Sequence, residues 1–261
     1  MDKILEGKVG LITGAGSGFG REIAITFARE GANLVLNDID LESLEETRDL
    51  ILKSHDCEIL LYQMDISDAD KVKEMSKEVF KKFNNVFVLV NNAGINGGLY
   101  KSLSCPNENY DRVMDVNLKG PWLLVKNLFR KMRLQKFAPV TGKIINIASC
   151  AGIEPNPTIG VYSVSKAALI CFTRLWALEL APRITVNSIS PGVHITKIYD
   201  NDPELAQKLL DLRNVKIPLN RFGTKADVAN ACLFLASPAS DYITGENIVI
   251  DGGMTTSINK L

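Results

Sequence analysis

The chain predicts an α/β fold built on one doubly wound, seven-stranded parallel sheet with helices on both faces. Three observations point there. Short β-rich runs alternate with longer helical ones from end to end. Several β runs are nearly unbroken apolar segments, as strands covered on both faces require. The first run, "VGLIT", leads directly into "GAGSGFG" and then a helix-forming stretch.

The strand candidates, in order, are Val9–Thr13, Asn33–Asn37, Glu58–Met64, Val86–Val90, Lys143–Ala148, Ile184–Ile189 and Asn247–Ile250. Helical patterns such as Leu41–Ser54 and Asp68–Phe83 fill the gaps. No repeat, low-complexity tract or Pro/Gly/Ser-rich linker divides the chain, so residues 1–261 are expected to form one domain. Residues 196–217 break the rhythm. Pro203–Glu204 suits a first helical turn, and Ile198, Leu205, Leu209 and Leu212 share a face. This segment is a candidate substrate lid, or else a packed surface helix or oligomer contact.

Composition narrows the function. Of 261 residues, 46% are apolar, which suffices for a large core. Thirty basic and thirty acidic residues cancel, which gives no signature of nucleic-acid binding. "MDKILEGK" lacks the features of a signal peptide, and no unbroken apolar run approaches the roughly 18 residues of a membrane span. Five scattered cysteines, Cys57, Cys105, Cys150, Cys171 and Cys232, lack C-x-x-C spacing. They argue for a reducing cytoplasm and against a metal site or disulfide framework. Cys150 is either an exposed thiol or a small buried side chain.

The stretch after the first strand carries the most chemistry. Gly14, Gly16, Gly18 and Gly20 lie between a strand and a helix that begins near Phe19, with a second strand following. Such glycines let backbone approach a pyrophosphate, and the helix N-terminus offers free N–H groups. A dinucleotide site of Rossmann type is the expectation. Asp38 ends the second strand, 24 residues after Gly14. A carboxylate there accepts hydrogen bonds from a ribose and repels a 2′-phosphate. Ile39 follows where an arginine would have welcomed that phosphate. NAD(H) is therefore expected over NADP(H), unless Asp38 merely caps the next helix.

At this point the chain resembles a short-chain dehydrogenase/reductase of the shorter, single-domain branch, over about Gly7 to Gly253. The motifs that carry the resemblance are "TGAGSGFG", "MDISD", "NNAG", "VNLKG", "NIASCAG", "YSVSK", "SPGVHIT" and "ITGENIVIDGG", in that order. The resemblance implies a cofactor set of Gly14, Ser17, Gly18, Phe19, Gly20, Asp38, Ile39, Asp65, Ile66, Asn92, Ala93, Gly94, Tyr162, Lys166, Pro191, Gly192, Val193 and Thr196. It implies a catalytic set of Asn117, Ser149, Tyr162 and Lys166, with Ser149 preceding Tyr162 by 13 residues.

The physical logic is that hydride transfer at a carbon bearing oxygen must move a proton on that oxygen. Tyr162 is the expected acid/base, though a phenol with a pKa of about 10 is a poor base at neutral pH. Lowering it three units takes roughly 4 kcal/mol. One ammonium about 4 Å away supplies about that much at an effective dielectric near 20. Lys166 lies four residues on, on the same helix face. It meets that need only if close and partly desolvated, with help from a positive nicotinamide. Ser149 is expected to bond the substrate oxygen. Asn117 either holds a water relaying protons to Lys166 or satisfies a backbone group.

Substrate contacts are expected from Ile95, Asn96, Ala151, Ile153, Asn156, Pro157 and His194, with His194 alternatively structural. The apolar bias suggests a medium-sized, partly hydrophobic secondary alcohol or ketone: a steroid, cyclic alcohol, polyol derivative or 3-hydroxyacyl chain. From Val116 to Ile153 there is no Asp or Glu, while Lys119, Lys126, Arg130, Lys131, Arg133, Lys136 and Lys143 occur. That is either a solvated face or, as in carrier-protein-dependent 3-oxoacyl reductases of the family, a docking surface. The resemblance also implies a homotetramer (or homodimer) using the "YSVSK" helix and the last strand. No metal, nucleic acid or membrane is expected. The remaining alternative is a non-catalytic dinucleotide-binding module, which would not need the four proton-handling residues together.

Overall fold

The structure, a computed structural model, describes residues 3–194 and 217–256. Its strands are β1 Val9–Thr13, β2 Asn33–Asp38, β3 Ile59–Gln63, β4 Val88–Asn91, β5 Gly142–Ile147, β6 Ile184–Pro191 and β7 Asn247–Ile250. The principal helices are α1 Gly18–Arg29, α2 Leu41–Leu52, α3 Ala69–Phe83, α4 Asn107–Met114, α5 Gly120–Arg133, α6 Gly160–Leu180 and α7 Lys225–Ala236. All seven predicted strands form, with ends within two residues of expectation. β6 runs longest because Ser190 and Pro191 still pair with Val249 and Ile250 of β7. The lid candidate, Thr196 included, lies outside the described residues except for Ile217.

The sheet is wholly parallel, in the order β3-β2-β1-β4-β5-β6-β7. Strand alternation sends successive side chains to opposite faces. Leu11, Val35, Leu89, Ile144 and Val186 pack beneath α3, α5 and α6. Ile12, Leu36, Val90, Ile145 and Ile189 pack beneath α1, α2 and α7. Each such side chain contributes about 1.5–3 kcal/mol on burial. Helix starts are set locally: Asp40 caps α2, Asp68 caps α3, and Thr224 with Asp227 forms a reciprocal capping box on α7.

One sequence expectation is corrected here. Lys143, counted above in a basic surface, is 1% exposed. Its ammonium lies 2.7 Å from Asp241 and donates to the Ser237 carbonyl and Ser240 Oγ. Pro157–Leu180 does have the length and mean hydropathy (1.2) of a membrane-crossing helix. In the fold it is the core helix α6, with Leu169, Trp176 and Leu180 buried against the sheet.

The strand order reverses between β1 and β4. Connections from those two strands leave to opposite sides and open a crevice at their carboxyl ends, where ligands of such sheets bind. Every residue of the glycine turn and of "NNAG" lies at that edge.

Candidate active site

The glycine turn is shaped by what glycine alone permits. Gly14 and Gly18 adopt positive φ of 64° and 55°. A Cβ on Gly20 would overlap the Gly14 carbonyl oxygen. The helix α1 that follows has no side-chain cap hydrogen bond and no acid in its first turn. Its leading N–H groups are therefore suited to an anion. Below the turn, Asn92 Nδ2 donates to the carbonyls of Thr13 and Gly14, at 2.8 and 3.1 Å. Thr13 Oγ1 accepts from the backbone N–H of Asn92 and Ala93. β1 and β4 are thereby tied together at the crevice.

A cavity of about 370 Å³ opens beside the turn. Ten predicted cofactor residues line it: Gly14, Ser17, Phe19, Asp38, Ile39, Asp65, Ile66, Asn92, Ala93 and Gly94. Asp38 is not the cap of α2, a role Asp40 takes. Asp38 Oδ2 instead accepts from Gly16 N at 2.9 Å and Oδ1 from Ile39 N at 2.8 Å. The carboxylate thus stands fixed on the cavity wall with lone pairs to spare. Asp65 accepts from Ser67 and pairs with Arg112 Nη1 at 2.6 Å. Burial pushes its carboxyl up, but Ser67 and Arg112 outweigh that and hold it below its ordinary range.

A second cavity of about 270 Å³ shares Phe19, Asn92, Gly94 and Ile95 with the first. Ile147, Ala148, Ser149, Tyr162, Lys166, Pro191 and Gly192 complete its walls, together with Asn96. Tyr162 and Lys166 project from adjacent turns of α6, with Lys166 Nζ 5.7 Å from the phenol ring centroid. Lys166 is buried and donates to the Ile147 carbonyl at 2.7 Å. Burial lowers its pKa to about 8. Burial pushes the Tyr162 phenol up, while a hydrogen bond with Ser149 pulls it down; the net shift is upward. Lys166 therefore does not by itself lower Tyr162, in keeping with the need stated above for help from a positive nicotinamide. Gly94 makes room for these groups, since a Cβ there would lie 3.2 Å from both Lys166 Nζ and Asn117 Oδ1.

Asn117 is fully buried in a π-helical turn, Asp115–Lys119, between α4 and α5. Its Oδ1 accepts from Ile95 N, and its Nδ2 donates to Ile95 O and Ser165 Oγ. These bonds fix the turn after "NNAG" and leave Oδ1 a second lone pair.

The predicted substrate residues are not all brought together. His194 lies outside the Ser149–Tyr162 cavity: its ring meets Phe19 edge-on at 5.0 Å, and Nδ1 lies 3.1 Å from the Gly192 carbonyl. Gly223 closes over it, and burial lowers its pKa. Asn156 caps a short turn through Thr158, while Ala151 and Ile153 follow Ser149 on a 3₁₀ turn. Gly18 and Gly20 shape the glycine turn without lining either cavity, and Val193 binds Gly223 N through its carbonyl. Cys150 is a buried thiol pushed up to about 12 by burial and Asp251. Residues not singled out from sequence include Arg112, Asn37, Met64 and Val116 on the larger cavity. Arg112 sits on α4, 47 positions beyond the carboxylate it meets, with no local motif to reveal it.

A parallel sheet with its crevice at the reversal, a glycine turn on one side and a Ser–Tyr–Lys cluster on the other define a dinucleotide-dependent oxidoreductase. A family model described as enoyl-(acyl carrier protein) reductase matches residues 14–255. The chain belongs to the short-chain dehydrogenase/reductase family. It is 40% identical over 253 residues to the 3-oxoacyl-[acyl-carrier-protein] reductase FabG of Thermotoga maritima, covering 96% of this chain and 98% of that protein. Among solved structures it is similar to levodione reductase, at a TM-score of 0.89 and 31% identity, covering 97% and 99% of the two chains. It is likewise similar to NAD+-bound xylitol dehydrogenase, at a TM-score of 0.85 and 30% identity, covering 95% and 99%.

Proposed function

We propose that this protein interconverts a secondary alcohol and a ketone with NAD(H), on a medium-sized, partly hydrophobic substrate. The observation that carries this is the convergence of Ser149, Tyr162 and Lys166 on a cavity that shares Phe19, Asn92, Gly94 and Ile95 with the glycine-turn cavity. NAD(H), when bound, supplies or accepts the hydride. The glycine turn and the start of α1 would hold its pyrophosphate, Asp38 its adenosine ribose, and Lys166 its nicotinamide ribose. Tyr162 takes the hydroxyl proton as the alcohol is oxidised and returns it on reduction. Ser149 donates to the substrate oxygen where negative charge develops. Asp38 disfavours a 2′-phosphate by charge.

The test is NADH formation across steroid, cyclic, polyol and 3-hydroxyacyl alcohols, with NADP in parallel. Tyr162→Phe is expected to keep NADH binding and lose at least about 100-fold in turnover; near-normal turnover refutes the role. Asp38→Ser is expected to shift the NAD/NADP ratio of kcat/KM at least about tenfold toward NADP. An unchanged ratio refutes the ribose assignment.

A second proposal, reduction of carrier-bound 3-oxoacyl thioesters, is favoured by the identity to the Thermotoga maritima reductase. Lys126, Arg130, Lys131, Arg133 and Lys136 remain exposed on and after α5, as an acidic carrier would require. Activity on 3-oxoacyl thioesters far above that on free ketones would select it.

We also infer a homo-oligomer. Val164, Ala167, Cys171, Leu175 and Leu178 form an exposed, largely apolar stripe along α6, with Leu178 81% exposed. Sedimentation equilibrium tests this; a monomer at micromolar concentration refutes it.

A further inference from the structure

We propose that Arg21 is a positioning residue that aims the glycine turn at the dinucleotide and thereby sets the preference for NADH over NADPH. The proposal rests on the cofactor assignment above. Arg21 lies on the first turn of α1 and does not line the cofactor cavity. Its side chain is 18% exposed. Its guanidinium reaches four acceptors at once: the Gly16 carbonyl, the Ser43 carbonyl at 3.3 Å, Thr47 Oγ1 at 2.9 Å and Glu46 Oε2 at 2.9 Å. Thr47 is fully buried, and its hydroxyl lies 3.0 Å from the Ala15 carbonyl. The carbonyls of the turn are therefore held on its far side, away from the cofactor.

The peptide plane converts that grip into an orientation. A trans peptide places its C=O and N–H on opposite sides. Fixing the Gly16 carbonyl toward Arg21 turns the Ser17 N–H, in the same plane, the other way, and Ser17 lines the cavity. Gly16 is also held on its amide side, where its N–H donates to Asp38 Oδ2 at 2.9 Å. Arg21 and Asp38 thus grip one residue from both ends, and Ser43 and Glu46 extend the grip to α2. The spacing between phosphate turn and ribose acid is fixed through Gly16. Glu46 balances the Arg21 charge, so the guanidinium is not available to welcome a 2′-phosphate.

The experiment is titration of NADH and NADPH, by nicotinamide fluorescence, into wild type, Arg21→Met, Arg21→Lys, Asp38→Ala and the Arg21→Met/Asp38→Ala double variant, with a melting curve for each. Arg21→Met is expected to weaken NADH about tenfold, the scale of one charged hydrogen bond. NADPH should weaken less, so the preference narrows. Arg21→Lys keeps the charge but cannot reach all four acceptors, and should fall between. On the Asp38→Ala background the loss should shrink to within about twofold, because both residues act through Gly16. NADH affinity and preference equal to wild type in Arg21→Met, or in Arg21→Lys if the methionine variant does not fold, overturns the proposal. So does a lowered melting temperature with affinities unchanged, or an undiminished loss on the Asp38→Ala background. Wild type that binds neither nucleotide would overturn the cofactor assignment itself, which the other outcomes leave standing.

Discussion

Lys166→Met should make the ligand-free protein more stable while abolishing turnover. Lys166 is 4% exposed, and among the described residues its ammonium has one hydrogen bond, to the Ile147 carbonyl. Burial lowers its pKa from 10.5 to about 8. At about 1.4 kcal/mol per tenfold change in proton affinity, that costs roughly 3 kcal/mol while the amine is charged. Removing the ammonium also forfeits the Ile147 hydrogen bond, worth about 1.5 kcal/mol for a charged donor, so the net gain is about 1.5 kcal/mol. For a domain of this size that is about 5 °C in melting temperature. The sign with pH follows from proton counts. Below pH 8 both folded and unfolded chains carry the charge, and the full cost is present. Between pH 8 and 10.5 the unfolded chain binds the proton more, so wild-type stability rises with pH. Above 10.5 both forms are neutral and the cost is gone. Melting curves of the two proteins at pH 7, 9 and 10 check this. Lys8 and Lys143, also lowered by burial, titrate in both proteins and cancel in the difference. The variant should lead by about 5 °C at pH 7, with the gap closing toward pH 10. A variant no more stable at pH 7, or a gap independent of pH, refutes the burial argument.

Two further perturbations separate the cleft from its scaffold. Gly20→Ala would drive a methyl into the Gly14 carbonyl and to within 2.7 Å of Asn92 Nδ2; it should weaken NADH at least about tenfold, and unchanged binding by fluorescence titration would count against the turn geometry. Asp241→Ala strands the Lys143 ammonium at the end of β5 away from the crevice. Chemical denaturation should show a loss of about 3–5 kcal/mol with NADH affinity preserved, and a loss below about 1 kcal/mol would mean the pair is not a buried ion pair in solution.

The sheet was legible because its information is local. Apolar runs such as "NLVLN" and "KIINIA" mark strands by composition, and glycines at fixed offsets mark the turn. The cofactor wall was legible for the same reason: Asp38 and "NNAG" end strands, and strand ends converge at the reversal. What stayed hidden depends on tertiary neighbours. Arg112 reaches Asp65 across 47 positions, and Lys143 looks like surface charge until β5 proves central in the sheet. His194 follows a loop motif, yet its packing is decided by Phe19 and Gly223, which no spacing links.

The sign of the Tyr162 shift shows the same limit at the chemical centre. Four-residue spacing says that two side chains share a helix face, not how much water each retains. The charge argument requires an ammonium near 4 Å that is partly desolvated, with help from a positive nicotinamide. The fold buries both, with Nζ 5.7 Å from the ring centroid. Desolvation disfavours the charged form of each, raising the phenol and lowering the amine. An apolar residue at position 166 would spare the amine's cost, so the lysine is explained by function rather than by stability. Ser149 is the one group whose hydrogen bond pulls the phenol down. Tyr162 and Lys166 are therefore held as a neutral phenol beside a reluctant ammonium. Burial thus drives their proton affinities apart, the phenol above 10.0 and the amine down to about 8, so a bound positive charge is what the phenol still needs before it can act as a base near neutral pH.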